Sequence, residues 1–262
     1  MAAEPLRVLR VSADPNNLPF SNERGEGFEN KLAALVAREL HAKLEYVWWP
    51  QRRGFVRETL NSGRADLVIG VPAGYERLAT TRPYYSSTYV FVYRRGTFPI
   101  HSFDDPALRI MRIGVQMIGD DFSNTPPAHA LAARGHIENI RGYTVFGDYA
   151  QESPAAEIIR AVARGEIDVA VAWGPLAGYF ATRQAVPLEL ERVSPEQDGP
   201  ALPFVFPIAM GVKKGDVALR HELDEIIERC RGEIEAILDH YGVPRVEPPS
   251  ERKEVSYARV AP

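Results

Sequence analysis

Apolar residues recur along this chain in two rhythms: short unbroken runs and faces of helical spacing. Residues 9–11 are the first run, followed by the turn formers Asp14, Pro15, Asn16, Asn17 and Pro19. Asp and Asn side chains bond their own backbone in turns, and Pro presets φ. Phe28, Leu32, Leu35, Val36 and Leu40 then mark one face of a helix. Residues 44–49 read as a second strand closed by Pro50. Phe55, Val56 and Leu60 mark a short helix ending at Gly63, where a left-handed residue is wanted. Residues 66–71 are apolar enough for a strand covered on both faces, as in parallel sheets. Gly70, Pro72, Ala73 and Gly74 make a small-residue loop at its end, and residues 88–93 a long β run. Strand, turn and helix in this order predict an α/β fold.

The pattern breaks at residues 94–105, a polar segment that reads as a crossing to a second lobe. Residues 113–115 start a new strand. Thr125-Pro126 and Ser153-Pro154 both read as an N-cap followed by Pro at the first helical position, with Gly135 and Gly165 as stops. Residues 143–146 form a further strand. Residues 162–172 echo residues 60–70: helix end, Gly, two residues, Asp, apolar strand. The echo predicts two related α/β lobes; chance similarity between two such transitions is the competing explanation. Gly174-Pro175-Leu176 reads as a small-residue loop. Residues 204–212 form a strand crossing back, and one long helix capped by Asp216 runs to the stop at Gly242 and Pro244, with Cys230 on its apolar stripe. The expected division is residues 1–98 for lobe 1, 99–206 for lobe 2, and 207–262 for the return with an extended tail.

Composition narrows the function. A net charge of −4 without a long basic run disfavours nucleic acid. No apolar stretch approaches membrane-spanning length, and a monomer is expected. A single cysteine excludes an internal disulfide and any cysteine-based metal cluster. Asp104-Asp105 and Asp120-Asp121 lack the further spaced oxygen ligands of a calcium loop and read as solvated loop residues. No signal peptide is legible, and the start Met1-Ala2-Ala3-Glu4-Pro5 fits a mature chain behind a methionine. In open α/β sheets, ligands sit beyond the carboxyl ends of the strands. Residues 14–20 occupy such a place, and Asp14 serves there either as a turn former or as a ligand contact.

Three stretches carry a resemblance: Asp14-Pro15-Asn16-Asn17-Leu18-Pro19-Phe20-Ser21-Asn22, Gly27-Phe28-Glu29-Asn30, and Val71-Pro72-Ala73-Gly74-Tyr75-Glu76-Arg77. They resemble the J-type accessory proteins that accompany PQQ-dependent methanol and alcohol dehydrogenases, calcium- or lanthanide-dependent, within the type II periplasmic solute-binding proteins. The resemblance implies two α/β lobes with two hinge crossings and a central cleft. It also implies a periplasmic, non-enzymatic helper in methanol oxidation, acting in maturation, activation or cofactor loading of the dehydrogenase, with no resident cofactor or metal. The chain departs from these relatives at Ser12 and Ala65, where they usually carry Cys. Amino-acid receptors of the superfamily hold the ligand carboxylate with an Arg at the place of Arg77, whose planar fork suits that work; a surface or ion-pairing Arg is the alternative. They also carry an acid after the second-lobe strand, where this chain has Val171-Ala172-Trp173-Gly174. A free amino acid is therefore not the expected ligand.

The candidate site comprises Asp14, Asn16 and Asn17 as polar contacts, Phe20, Tyr84 and Trp173 as aromatic walls, and Arg77 as an anionic anchor. The partner is the dehydrogenase, with or without a small molecule in the cleft. An importer's receptor for a small carboxylate or polyol is the second hypothesis. A dehydratase-like enzyme, with Asp14 as its only obvious acid, is the third.

Overall fold

The protein, a computed structural model, is described at residues 7–97, 99–118 and 124–247. Met1-Ala2-Ala3-Glu4-Pro5, Asp120, Asp121 and most of the tail lie outside the described residues. Contacts divide the chain into two units, residues 1–85 with 207–240, and residues 86–206 with 241–262.

Unit 1 is built on β1 (Val8–Ala13), the small hairpin β2 (Asn16–Asn17) and β3 (Ser21–Asn22), α1 (Phe28–Glu39), β4 (Lys43–Trp48) and β5 (Leu67–Pro72). β1 pairs in parallel with both β4 and β5. Unit 2 contains most of the long β6 (Ala79–Arg94), then β7 (Ile113–Met117), α2 (Pro126–Ala133), β8 (Ile140–Thr144), α3 (Glu157–Arg164), β9 (Val169–Trp173), α4 (Gly174–Ala181), β10 (Leu188–Arg192), and the short pair β11 (Gln197–Asp198) and β12 (Leu202–Pro203). Its sheet runs β10-β6-β9-β7-β8, with β7 parallel to β8 and β9. β13 (Val205–Val212) brings the chain back and pairs antiparallel with β5, and α5 (Val217–Arg229) and α6 (Arg231–His240) complete unit 1.

The sequence echo has a physical content. In unit 1, Arg10 Nη2 and Nε bond Asp66 at 2.5 and 3.0 Å, the Arg10 amide bonds Asp66 at 2.9 Å, and Arg10 Nη1 reaches the Gly63 carbonyl at 2.9 Å. In unit 2, Arg112 does the same to Asp168 at 2.7 and 3.0 Å, through its amide at 2.8 Å, and to the Gly165 carbonyl at 2.9 Å. Each fork fastens the start of one parallel strand to the start of the next and closes the helical turn before it. Gly63 and Gly165 both take the left-handed φ, +76° and +74°, that ends such a turn. The spacing of Gly and Asp in both halves is thus the spacing of one repeated device.

Several elements differ from the sequence pattern. β6 begins at Ala79 and runs unbroken through the unit boundary at Tyr85 and Ser86, so the chain passes between units inside a strand, ahead of residues 94–105. From Tyr241 onward the chain belongs to unit 2, where Tyr241 stacks on Tyr179 at 5.6 Å. The expected single final helix is two, parted at Cys230, whose backbone leaves the helical region at φ −99°, ψ 16°. Its carbonyl accepts the amides of Glu233 and Ile234 and so starts α6. Ile226, Ile227, Cys230, Ile234 and Leu238 stay buried across the break, so the apolar period hides it. Gly174-Pro175-Leu176 opens α4, because Pro suits the first helical turn. A Cβ on Gly174 would meet the Thr88 carbonyl oxygen at 2.6 Å, which explains the small residue there. Asp104 is not a merely solvated loop residue: it accepts from Arg134 at 2.7 Å, while Asp105 caps the following turn through the Ala107 amide.

The Arg112 fork holds the Asp168 carboxyl below the usual aspartate range. A carboxylate with a depressed folded-state pKa stabilises above its unfolded value, about 3.9, and loses that contribution as pH falls toward its folded value. Asp168→Asn is expected to cost about 1 kcal/mol at neutral pH, a modest figure because the pair is partly exposed. It should also flatten the acid limb of the stability curve; chemical denaturation across pH measures both.

Candidate functional site

The opening loop folds back on its own unit. Asp14 ends β1 nearly buried, at 2% exposure. One of its carboxylate oxygens accepts the Asn16 amide at 2.8 Å, and the other accepts the Gln51 amide at 2.6 Å. Asn17 Nδ2 donates to Gln51 Oε1 at 3.0 Å, so Asp14 and Asn17 converge on one residue after β4. Ser21 Oγ closes the hairpin by donating to the Asp14 carbonyl and accepting the Asp14 amide. Asn30, in the first turn of α1, accepts the amides of Asn22 and Gly27 on its Oδ1 at 3.0 and 3.1 Å. A Cβ on Gly27 would fall 2.0 Å from the Phe20 carbonyl oxygen, which fixes glycine at the entry to α1. The polar residues of the longest motif thus build a rigid corner.

Behind this corner runs a chain of rings. Phe20 packs on Phe28 at 5.3 Å, Phe28 meets Tyr85 edge-on at 6.3 Å, and Tyr85 meets Tyr84 at 5.0 Å. The Tyr84 hydroxyl is buried and has no hydrogen-bond partner among the described residues. Glu29 shares this region. A Cβ on Gly70 would lie 2.1 Å from Glu29 Oε1, so glycine in β5 makes room for the carboxyl. Burial pushes the Glu29 carboxyl up to about 8, and the negative charge of Asp14 adds to the shift. The N-terminus of α1 favours a negative charge in its first turn; here desolvation outweighs it. Burial also raises the hydroxyls of Tyr84 and Tyr85, with the Glu29 charge contributing to both. Glu29 is absent from the candidate residues expected from sequence. Glu29 stands within the motif Gly27-Phe28-Glu29-Asn30, but as an acid at a helix start it ordinarily means a solvated charge complementing the helix dipole.

Arg77 is exposed on the turn after β5. Trp173, at the end of β9 in unit 2, sits among rings of its own: Tyr89 at 5.2 Å and Phe206 at 5.9 Å. The Trp173 amide donates to Gln116 Oε1 at 2.9 Å. The structure therefore joins Asp14, Asn16 and Asn17 in one corner, links Phe20 to Tyr84 through Phe28 and Tyr85, and sets Trp173 in a separate aromatic cluster. Among the described residues, no group of three or more His, Cys, Asp or Glu is placed to hold a metal ion. No helix among them is long and apolar enough to cross a membrane.

The model of the bacterial extracellular solute-binding proteins, family 3, matches residues 9–244. The chain belongs to this family. Within it, the protein is similar to Protein MoxJ of Methylorubrum extorquens, 34% identical over 257 residues, covering 93% of this chain and 83% of that one. The crystal structure of the periplasmic binding protein XoxJ from Methylobacterium extorquens AM1 aligns with a TM-score of 0.75 at 37% identity, over 92% of this chain and 100% of that one. That of MxaJ from Methlophaga aminisulfidivorans MPT aligns at 0.76 and 27% identity, over 91% and 100%. The J-type resemblance of the three motifs is thus matched along nearly the whole chain, and the fold is that of the periplasmic binding proteins. In this member of the solute-binding family, Asp14 and Asn30 of these motifs accept backbone amides of their own unit.

Glu29 generates a pH prediction. Between the unfolded glutamate value, about 4.3, and about 8, the folded chain keeps a proton that the unfolded chain has released. Stability is therefore fullest below the lower value and declines as pH rises to the upper one. Glu29→Gln is expected to remove this decline and raise the melting temperature at pH 8 and above. Thermal unfolding of both proteins across this range measures it; parallel curves would contradict the assignment.

Proposed function

We propose that this protein is a periplasmic, non-enzymatic accessory of a PQQ-dependent methanol or alcohol dehydrogenase, acting by docking to the enzyme during its maturation or activation. The observation that carries the proposal is the engagement of the opening motif. Both Asp14 oxygens accept backbone amides and Asn17 is tied to Gln51. A loop built for solute capture would leave such groups open to a ligand. The motif instead stiffens a corner of its own unit, and such pre-organisation favours docking. Similarity to the MoxJ, XoxJ and MxaJ proteins and the family's extracellular character support the same reading.

Docking calls for aromatic anchors. Trp173, Tyr89 and Phe206 are half-buried and mutually packed, a form suited to that task. Trp173 stands where amino-acid receptors continue into an ammonium-binding acid, so an aromatic contact replaces a charged one. The exposed guanidinium of Arg77 favours the second reading, an importer's receptor for a small carboxylate or polyol.

Trp173→Ala is expected to weaken capture of the dehydrogenase by about tenfold or more, the loss of one aromatic anchor, without lowering the melting temperature below the assay range. A thermal-shift panel of amino acids, polyols, dicarboxylates and PQQ should stay flat. Strong stabilisation by one of them, abolished by Arg77→Ala, would return the protein to the transport receptors.

A further inference from the structure

The chain crosses between the units a third time, at His240 and Tyr241, and residues 241–246 lie against unit 2 as a strap. Gly242 takes a left-handed φ of +65°, which turns the chain out of α6. Tyr241 and Val243, on either side of it, are buried.

The seat for this strap is shaped by glycine. Gly174 and Gly178 stand one turn apart in α4 and so share a face. A Cβ on Gly178 would lie 2.0 Å from the Gly242 carbonyl oxygen, and one on Gly174 would lie 3.1 Å from Pro244 Cγ. Glycine inside a helix weakens it relative to alanine, so Gly178 is explained by the strap and not by α4. Hydrogen bonds complete the seat. Ser87 Oγ donates to the Pro244 carbonyl at 2.6 Å, Arg192 Nη2 donates to the Arg245 carbonyl at 2.9 Å, and the Val246 amide donates to the Ser86 carbonyl at 3.0 Å.

These attachments fall on the backbone that carries the aromatic cluster of unit 2. Gly174 directly follows Trp173. Ser87 and Tyr89 alternate onto one face of β6. Tyr89 is also the register partner of Trp173 between β6 and β9, and their rings pack at 5.2 Å. On each side of that ring contact, one strap holds the main chain within two residues of the ring.

We propose that residues 241–246 are a positioning strap for the docking surface of unit 2. Seated, the strap fixes Trp173 and Tyr89 in the packed arrangement that a protein partner meets; unseated, it lets that arrangement loosen. An anchor already ordered loses less freedom on binding. The inference rests on the docking role proposed above for Trp173.

Gly178→Ala in the full chain is the test, because its methyl group claims the place of the Gly242 carbonyl while suiting the helix. Amide exchange followed by NMR should show the Val246 amide losing protection about tenfold or more, the worth of one hydrogen bond. The indole N–H resonance of Trp173, identified by its loss in Trp173→Ala, should move. Affinity for a PQQ-dependent methanol dehydrogenase from the same host should fall about tenfold. Ser87→Ala removes a single strap bond and should shift all three readouts the same way by less. A Trp173 resonance unmoved where the Val246 amide has lost protection, or a Val246 amide as protected in both variants as in the native protein, would overturn the proposal. The exchange and indole readouts need no partner. A native protein that fails to bind the dehydrogenase while these two move together would therefore sink the docking reading and leave the strap's hold on Trp173 standing.

Discussion

An arginine fork on an aspartate, made once in each unit, is the interaction on which the frame depends. Parallel strands make no hairpin, so something other than a tight turn must set where neighbouring strands begin. Arg10 with Asp66 and Arg112 with Asp168 do this by bonding side chain to side chain and main chain to carboxylate together. The same guanidinium closes the carbonyl of the helix-ending glycine, Gly63 or Gly165. Within each unit strand register follows, and with it that unit's own carboxyl edge: in unit 1 β1 ends in Asp14, and in unit 2 β7 and β9 carry Gln116 and Trp173.

Each unit carries its own chemistry there. In unit 1, a nearly buried aspartate and two asparagines satisfy backbone groups, and a glutamate behind them is held largely neutral by burial. In unit 2, the rings of Trp173, Tyr89 and Phe206 pack together and Gln116 holds the Trp173 amide.

Much of this was legible in the sequence. Helical spacing located α1, β-runs located β1, β4, β5 and β7, and the Pro-after-cap signals located α2 and the approach to α3. Gly63, Gly135 and Gly165 take left-handed φ where stops were expected. The echo of Gly and Asp was visible, but not its cause, because Arg10 and Arg112 stand over fifty residues away along the chain. The break at Cys230 was invisible because the apolar period continues through it. The candidate residues were legible as types and not as roles. That Asp14 would point both oxygens at backbone amides, or that Gly70 would admit the Glu29 carboxyl, depends on tertiary approach that no spacing encodes.

The central claim is that this solute-binding scaffold recognises a dehydrogenase. Isothermal calorimetry of the purified protein against a PQQ-dependent methanol dehydrogenase from the same host, at low and moderate salt, tests it most directly. The account predicts saturable binding that persists at moderate salt, since aromatic rings and not charges make the contact. No heat of binding at either salt concentration would contradict it.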